Sequence, residues 1–292
     1  MDQAERLRNV IKQSNIQQQT ARVFTVTSGK GGVGKSNLAV NMAVWFRKIG
    51  KRVIIIDADL GLANVEVMFG SVPKYNLSDL IYRGKSAKEI INEGPLGIGF
   101  ISGGVGIAGL NNLSRDQIVY LVHSLAELNE LADIVIIDTG AGIADSVLEF
   151  VLASPEVVLV STPDPSSLTD AYSLLKALYR NPSFSEERTR IHIVANKVTS
   201  VEEGNIVFAK LNSVVTQFLK GSIHFLGMIP QDREMEHAVR SQKIISLEKP
   251  NAASSRAFKL LTDNYIHDEQ KTISMHKGIT QFITNLLARR GS

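Results

Sequence analysis

The 292-residue chain contains no cysteine. That absence excludes disulfides, thiolate zinc sites, cysteine nucleophiles and iron–sulfur clusters together, and it is compatible with a reducing compartment. Long apolar runs are missing as well: none reaches the roughly 18–20 residues that a spanning helix needs. The N-terminal MDQAERLRNVIKQ has no apolar stretch of the signal-peptide kind, so the expected location is the cytoplasm. The six histidines (123, 192, 224, 237, 267, 276) show no ligand spacing, which argues against a metal site built by the protein alone. An excess of either charge is lacking too. Thirty-two basic residues against 29 acidic ones give a net +3, too balanced to imply nucleic acid, so DNA is an unlikely partner. What is present is an ordinary globular composition, 44% hydrophobic and 21% charged, which excludes disorder as the main state. The length suits one large α/β domain or two small ones.

Residues 1–20 are polar and glutamine-rich, with Ala4, Leu7, Val10 and Ile11 at helical spacing. A strand-then-helix alternation follows. Short β-branched runs stand at Val23–Thr27, Val53–Asp57, Ile98–Ser102, Asp133–Asp138, Val157–Ser161 and Ile191–Asn196, with helical patterns at Asn37–Ile49, Ser114–Leu131 and Ser166–Tyr179. Several runs are apolar on both faces, as strands covered by helices on both sides must be. The fold class expected is therefore α/β: a doubly wound, mainly parallel sheet with right-handed crossovers and ligands beyond the strands' C-terminal ends.

The first strand runs into Ser28-Gly29-Lys30-Gly31-Gly32-Val33-Gly34-Lys35-Ser36, which satisfies G-x-x-x-x-G-K-S between a strand and a helix. Glycines let successive backbone N–H groups turn around phosphate oxygens, and the helix N-terminus adds its positive dipole end. Lys35 supplies charge to the β/γ-phosphates, and the Ser36 hydroxyl can ligate Mg²⁺. Gly29, Gly31 and Gly34 also fit the dinucleotide pattern G-x-G-x-x-G, with Asp57 where a ribose-binding acid would sit. Lys35-Ser36 decides against it, because a dinucleotide helix has no use for an ammonium and a hydroxyl there. Gly104, Gly106 and Gly109 repeat the spacing without a following acid and read as a flexible loop.

Two later strands end in carboxylates, at Asp57-Ala58-Asp59 and at Asp138-Thr139-Gly140-Ala141-Gly142. Asp138, after four apolar residues, has the form of a Mg²⁺-holding acid, and Asp59 can orient the attacking water. Each acid alone could equally be a helix cap or turn residue. Asp57 is open between supporting its neighbours and touching the metal. Gly140 and Gly142 let the backbone approach a γ-phosphate and move when it leaves.

Lys30, directly after the first glycine, makes the loop resemble the deviant Walker A of the MinD/ParA class of P-loop ATPases. The resemblance runs through Asp57–Asn64 (switch I), Asp138–Gly142 (switch II), Asn196-Lys197 and Ile229–Asp232, about residues 22–250. It implies ATP and Mg²⁺ as ligands, with Gly29, Gly31, Gly32, Val33, Gly34, Lys35, Ser36 and Asn37 at the phosphates. It places Asn196, Pro230 and Asp232 at the adenine. It also implies an ATP-bound homodimer, in which Lys30 reaches the partner's nucleotide as an arginine-finger analogue. Asp2-Gln3-Ala4, with Leu7-Arg8, and the Asp-Thr-Gly-Ala-Gly switch II resemble the FlhG/YlxH branch of flagellar-number regulators. That branch implies stimulation of the signal-recognition-type GTPase FlhF by the N-terminal segment, and contact with flagellar switch-ring (C-ring) components.

Near the C-terminus Ile279, Phe282, Ile283, Leu286 and Leu287 form one apolar stripe. No acid follows Glu269, whereas Lys271, Lys277, Arg289 and Arg290 do. Stripe plus basic flanks reads as a helix for an anionic membrane surface, and equally as a terminal helix packed on the domain. The expected division is 1–21 as a partner-activating segment, 22–250 as the ATPase domain and 251–292 as C-terminal helices. The expected activity is Mg²⁺-dependent ATP hydrolysis by Lys30, Lys35 and Asp59, with Ser36 and Asp138 on the metal. Membrane association would be peripheral and confined to the ATP state. The rivals are a ParA-type DNA-partition ATPase and a nucleotide-gated adaptor without productive hydrolysis.

Overall fold

A computed structural model describes residues 20–59, 64–103, 120, 124–269 and 278–288. In chain order the elements are β1 (Arg22–Ser28), α1 (Lys35–Lys48), β2 (Val53–Ala58), α2 (Asn64–Phe69), α3 (Leu77–Arg83), α4 (Ala87–Ile90), β3 (Asn92–Glu93), β4 (Gly99–Ser102), α5 (Leu128–Leu131), β5 (Ile134–Ala141), α6 (Asp145–Ala153), β6 (Glu156–Ser161), α7 (Pro165–Arg180), β7 (Arg190–Val198), α8 (Val201–Val214), β8 (His224–Pro230), α9 (Arg233–Arg240), α10 (Ile245–Glu248), α11 (Ala253–Glu269) and α12 (Ile279–Ala288). The eight strands form one sheet in the order β3-β4-β2-β5-β1-β6-β7-β8, parallel except for the short antiparallel edge strand β3. The expected doubly wound sheet is therefore present.

Strand alternation explains the two-sided apolar runs. Phe24, Val26, Ile55, Ile134 and Ile136 face α1, α10 and α11, whereas Val23, Ile54, Ile56, Val135 and Ile137 face α3, α5, α6 and α12. Under the other half of the sheet, Val157, Leu159, Ile191 and Ile193 pack against α6, α7 and α8.

Six strands fall where the sequence pattern puts them. The pattern missed β3, which is two residues long, and β8, where Gly227 sits at a φ of 148° and the pairing with β7 shifts register. The expected helix Ser114–Leu131 lies partly outside the described residues; within them Glu127 is a turn, and α5 starts after it. Among the described residues no helix is long and apolar enough to cross a membrane.

Helix α12 is docked, with Ile279, Phe282, Ile283 and Leu286 each under 4% exposed. Phe282 stacks on Phe150 of α6 at 6.2 Å and 23°. The Asn285 amide donates to the Ala153 carbonyl at 3.3 Å, and the Ile279 N–H donates to Asn129 Oδ1 at 3.2 Å. The Leu287 side chain lies outside the described set, as do the N-terminal residues Asp2, Gln3, Ala4, Leu7 and Arg8.

Candidate functional site

Strands β1, β2 and β5 are neighbours and end on the same edge, which sets Asp57 beside Asp138 in register. From β1 the chain turns through residues 29–34 into α1. Gly34 caps that helix at φ 100°, ψ 24°, a conformation that favours glycine. A Cβ there would also lie 2.5 Å from Asn196 Nδ2. Gly29 is fixed for a different reason, because a Cβ would meet the Asp170 backbone of α7 at 2.1 Å. The helix that follows is short of polar residues on its inner side, so burial against the sheet holds its N-terminus at the strand tips.

Lys35 and Asp138 are both buried. Burial pushes the Lys35 ammonium below the usual lysine range, against the attraction of Asp138 and Asp59. Burial likewise pushes the Asp138 carboxyl up to about 7. The Ser36 hydroxyl lies near enough to favour its ionised form, yet neither Asp138 oxygen has a hydrogen bond of good geometry. An orphaned, buried carboxylate beside a serine hydroxyl is a poor structural feature and a good half-site for a hard divalent cation. The residues present fit Mg²⁺.

Asp57 is settled by its partners. Its Oδ1 accepts the Asp59 N–H and its Oδ2 accepts the Val65 N–H, both at 3.1 Å. Both oxygens are thus committed to shaping the loop between β2 and α2, and burial pushes this carboxyl up to about 6. Asp59 stands at the front of that loop, where its Oδ2 accepts from the Asn64 side chain at 3.2 Å. Its Oδ1 would lie 3.6 Å from a Cβ placed on Gly140, so the loops after β2 and β5 meet at Asp59. The β5 loop is tied to the phosphate loop's entrance by the Gly142 N–H, which donates to the Ser28 carbonyl at 2.9 Å. Residues 60–63 lie outside the described set.

A cleft of about 500 Å³ opens beside the loop, lined in part by Gly32, Gly34, Asn37, Asn196, Pro230 and Asp232. Asn196 uses its amide to donate to the Val33 carbonyl at 2.6 Å. Asp232 caps α9 through the Glu234 N–H and holds the start of α11 through the Ser254 N–H and hydroxyl. Its carboxylate therefore builds the wall of the cleft. Met235 and Val239 add apolar surface suited to a purine face, backed by the buried Phe258. Sequence reading missed these three. The only signal was the i, i+4 spacing of Met235 and Val239, which looks the same in any packed helix.

Lys30 points away from the loop, its ammonium donating to the Ser166 hydroxyl at 2.6 Å at the start of α7. Taken together, Lys35, Ser36, Asp59 and Asp138 converge at one strand edge, and the cleft continues from it. That arrangement can bind a nucleoside triphosphate and direct water onto its terminal phosphate.

A family model described as the CobQ/CobB/MinD/ParA nucleotide binding domain matches residues 24–245. The chain is 39% identical over 238 residues to the antiactivator FleN of Pseudomonas aeruginosa, covering 82% of this chain and 84% of that protein. It is 34% identical over 263 residues to the flagellum site-determining protein YlxH of Helicobacter pylori, covering 88% and 87%. Among solved structures, MinD of Pyrococcus horikoshii complexed with Mg-ADP aligns with a TM-score of 0.65 over 88% of this chain and 99% of that one. Identity there is 19%, so that likeness establishes the fold.

Proposed function

The chain belongs to the CobQ/CobB/MinD/ParA nucleotide-binding family and is an ATPase that takes ATP and Mg²⁺; from that premise we propose that it is a nucleotide-driven switch regulating flagellar number and placement. The observation that carries this reading is the convergence of Lys35, Asp59 and Asp138 at the ends of adjacent parallel strands, in a chain similar over most of its length to two proteins named for flagellar or antiactivator roles.

The chemistry follows from the site. The base enters the cleft between Asn196 and the Pro230–Asp232 turn, and the phosphates lie over the N–H groups of residues 31–36. Lys35 neutralises charge on the β/γ-phosphates, and Ser36 with Asp138 would hold Mg²⁺. The metal, when bound, adds positive charge at those phosphate oxygens. Asp59 orients a water in line with the γ-phosphorus. The new P–O bond forms as the bond to ADP breaks, giving ADP and phosphate. Phosphoryl transfer needs positioning and charge more than covalent help, which is what these residues supply.

In the proposed cycle ATP closes a homodimer, Lys30 leaves Ser166 for the partner's nucleotide, and hydrolysis reopens the pair. Membrane association belongs to the same cycle: α12 is docked in the monomer and released in the ATP dimer to lie in an anionic leaflet, through Ile279, Phe282, Ile283, Leu286 and Leu287. Two such helices per dimer bind by avidity where one is marginal. Residues 1–21 would stimulate an FlhF-type GTPase through Asp2, Gln3, Ala4, Leu7 and Arg8, and C-ring components would be further partners.

The test is co-sedimentation with anionic vesicles in a slowly hydrolysed ATP analogue against ADP, with DNA replacing vesicles in a matched tube. Pelleting with lipid in the ATP state alone supports the switch. DNA binding without lipid binding moves the chain to the partition class. Binding to neither makes α12 a permanent core element.

A further inference from the structure

Strand β7 ends irregularly. Its pairing with β8 shifts register between Asn196 and Val198, and the residue left over, Lys197, has a φ of 59°. That is the left-handed region, which a side chain with a Cβ occupies only at a cost. Bulges of this kind re-aim a side chain, and a strained residue that persists is a reason to ask what it does.

The side chain answers the question. Lys197 Nζ donates to the Gly32 carbonyl at 3.1 Å, inside the phosphate loop. Its neighbour Asn196 donates to the next carbonyl, Val33, at 2.6 Å, and accepts the Lys197 N–H on Oδ1 at 2.8 Å. The pair therefore acts as one clamp on two consecutive loop carbonyls. In a trans peptide the C=O of one residue and the N–H of the next point in opposite directions. Drawing the Gly32 and Val33 carbonyls toward β7 turns the Val33 and Gly34 N–H groups the other way, into the phosphate cradle. Without the clamp, the Gly32 and Val33 carbonyls lose both of these tethers.

We propose that Lys197 is a positioning residue for diphosphate recognition: its ammonium holds the Gly32–Val33 peptide so that the N–H faces the nucleotide's phosphates. The strain at 197 is retained for that purpose. This deepens the phosphate-loop reading and rests on it. The competing role is contact with the base, because Lys197 also lines the cleft.

The test uses the full chain, with calorimetric titration of Mg-ADP and of AMP and a steady-state phosphate-release assay. Lys197→Met should weaken ADP by about five- to tenfold, the effect of one ordinary solvent-exposed hydrogen bond, while AMP changes less than about twofold. KM for ATP should rise with kcat nearly unchanged, since the clamp serves ground and transition states alike. Lys197→Arg should restore ADP binding, because a guanidinium can donate to the same carbonyl. Lys197→Gly should lose ADP affinity as the methionine variant does, yet leave the melting temperature of the nucleotide-free protein equal or higher, because the left-handed strain is relieved. Wild-type ADP affinity in Lys197→Met overturns the inference, and so does an equal loss of AMP, which would place the lysine at the base. A fall in the melting temperature of Lys197→Gly that tracks its loss of affinity also overturns it. If the wild-type chain binds no ADP, the phosphate-loop reading itself fails.

Discussion

Phe150→Ala separates two roles that any change on α12 would confound. Phe150 belongs to α6, is 4% exposed, and stacks on Phe282 of α12. The stripe that would meet lipid is untouched by its truncation, whereas the surface that holds the stripe down is damaged. Removing a buried phenylalanine ring costs about 3–5 kcal/mol. Part of that falls on the domain itself, because Phe150 shares its cluster with Val23, Val135 and Leu128. Assigning roughly half, about 2 kcal/mol, to the α12 contact shifts the docked-to-released ratio by about 30-fold. The assay is vesicle co-sedimentation in ADP, where the wild-type helix is docked in the proposed cycle. The variant should pellet in ADP at a level approaching wild type with the ATP analogue, and amide exchange across 279–286 should speed up with no lipid present. If the melting temperature falls while pelleting in ADP stays at the wild-type level, docking against α6 is not what withholds the helix, and the release mechanism is wrong.

Two further outcomes follow from single side chains. Asp59→Ala should lower kcat by about 10²–10³-fold and leave ADP affinity within about twofold, because water orientation is made only on the way to the transition state; the ATP-bound dimer should persist on a sizing column, and elution as a monomer would refute the assignment. Glu156 sits at the far end of the sheet, chelated by Arg22 Nε at 2.6 Å and Arg22 Nη2 at 2.7 Å with His192 beside it. Burial works to raise its carboxyl, but His192 and Arg22 prevail and hold it down to about 2 from an ordinary 4.5. A depressed carboxylate stabilises the fold above about pH 4.5 and loses that contribution as pH falls toward 2. Glu156→Gln should cost about 3 kcal/mol in urea melts at pH 7 and flatten the acid limb below pH 4.5.

The parts of the molecule legible in the sequence are those in which chemistry or burial leaves little choice of residue. A loop that wraps phosphate with backbone N–H groups needs Gly34 at a φ of 100° and Gly29 against the α7 backbone, so its spacing is informative on its own. Strands buried on both faces show as unbroken apolar runs such as Val53–Ile56. Legibility ends where one residue type serves several ends. Asp57 and Asp138 end neighbouring strands with the same side chain; only the backbone N–H groups at Asp59 and Val65 make the first a loop former, and only their absence leaves the second available for a cation. Lys197 is a lysine after an asparagine until the bulge at the end of β7 aims it at Gly32. Met235 and Val239 are apolar residues at a packing interval until the cleft leaves one side of them open.

The C-terminal helix carries this ambiguity furthest. A period of 3.6 fixes which face of α12 is apolar and says nothing about what covers it. Apolar surface leaves water both against α6 and, in the proposed membrane state, in an acyl layer, so the hydrophobic contribution favours both states. The balance then falls to the smaller polar and electrostatic contributions. Docking has the Asn285–Ala153 and Asn129–Ile279 hydrogen bonds and the Phe150–Phe282 stack. In the proposed membrane state, Lys277, Arg289 and Arg290 each add about 1 kcal/mol near an anionic leaflet. Opposing sums of a few kcal/mol each are what a switch requires, because either partner of a nucleotide-closed dimer need supply only the difference. A stripe that read unambiguously as core or as anchor would be too committed for the proposed switch.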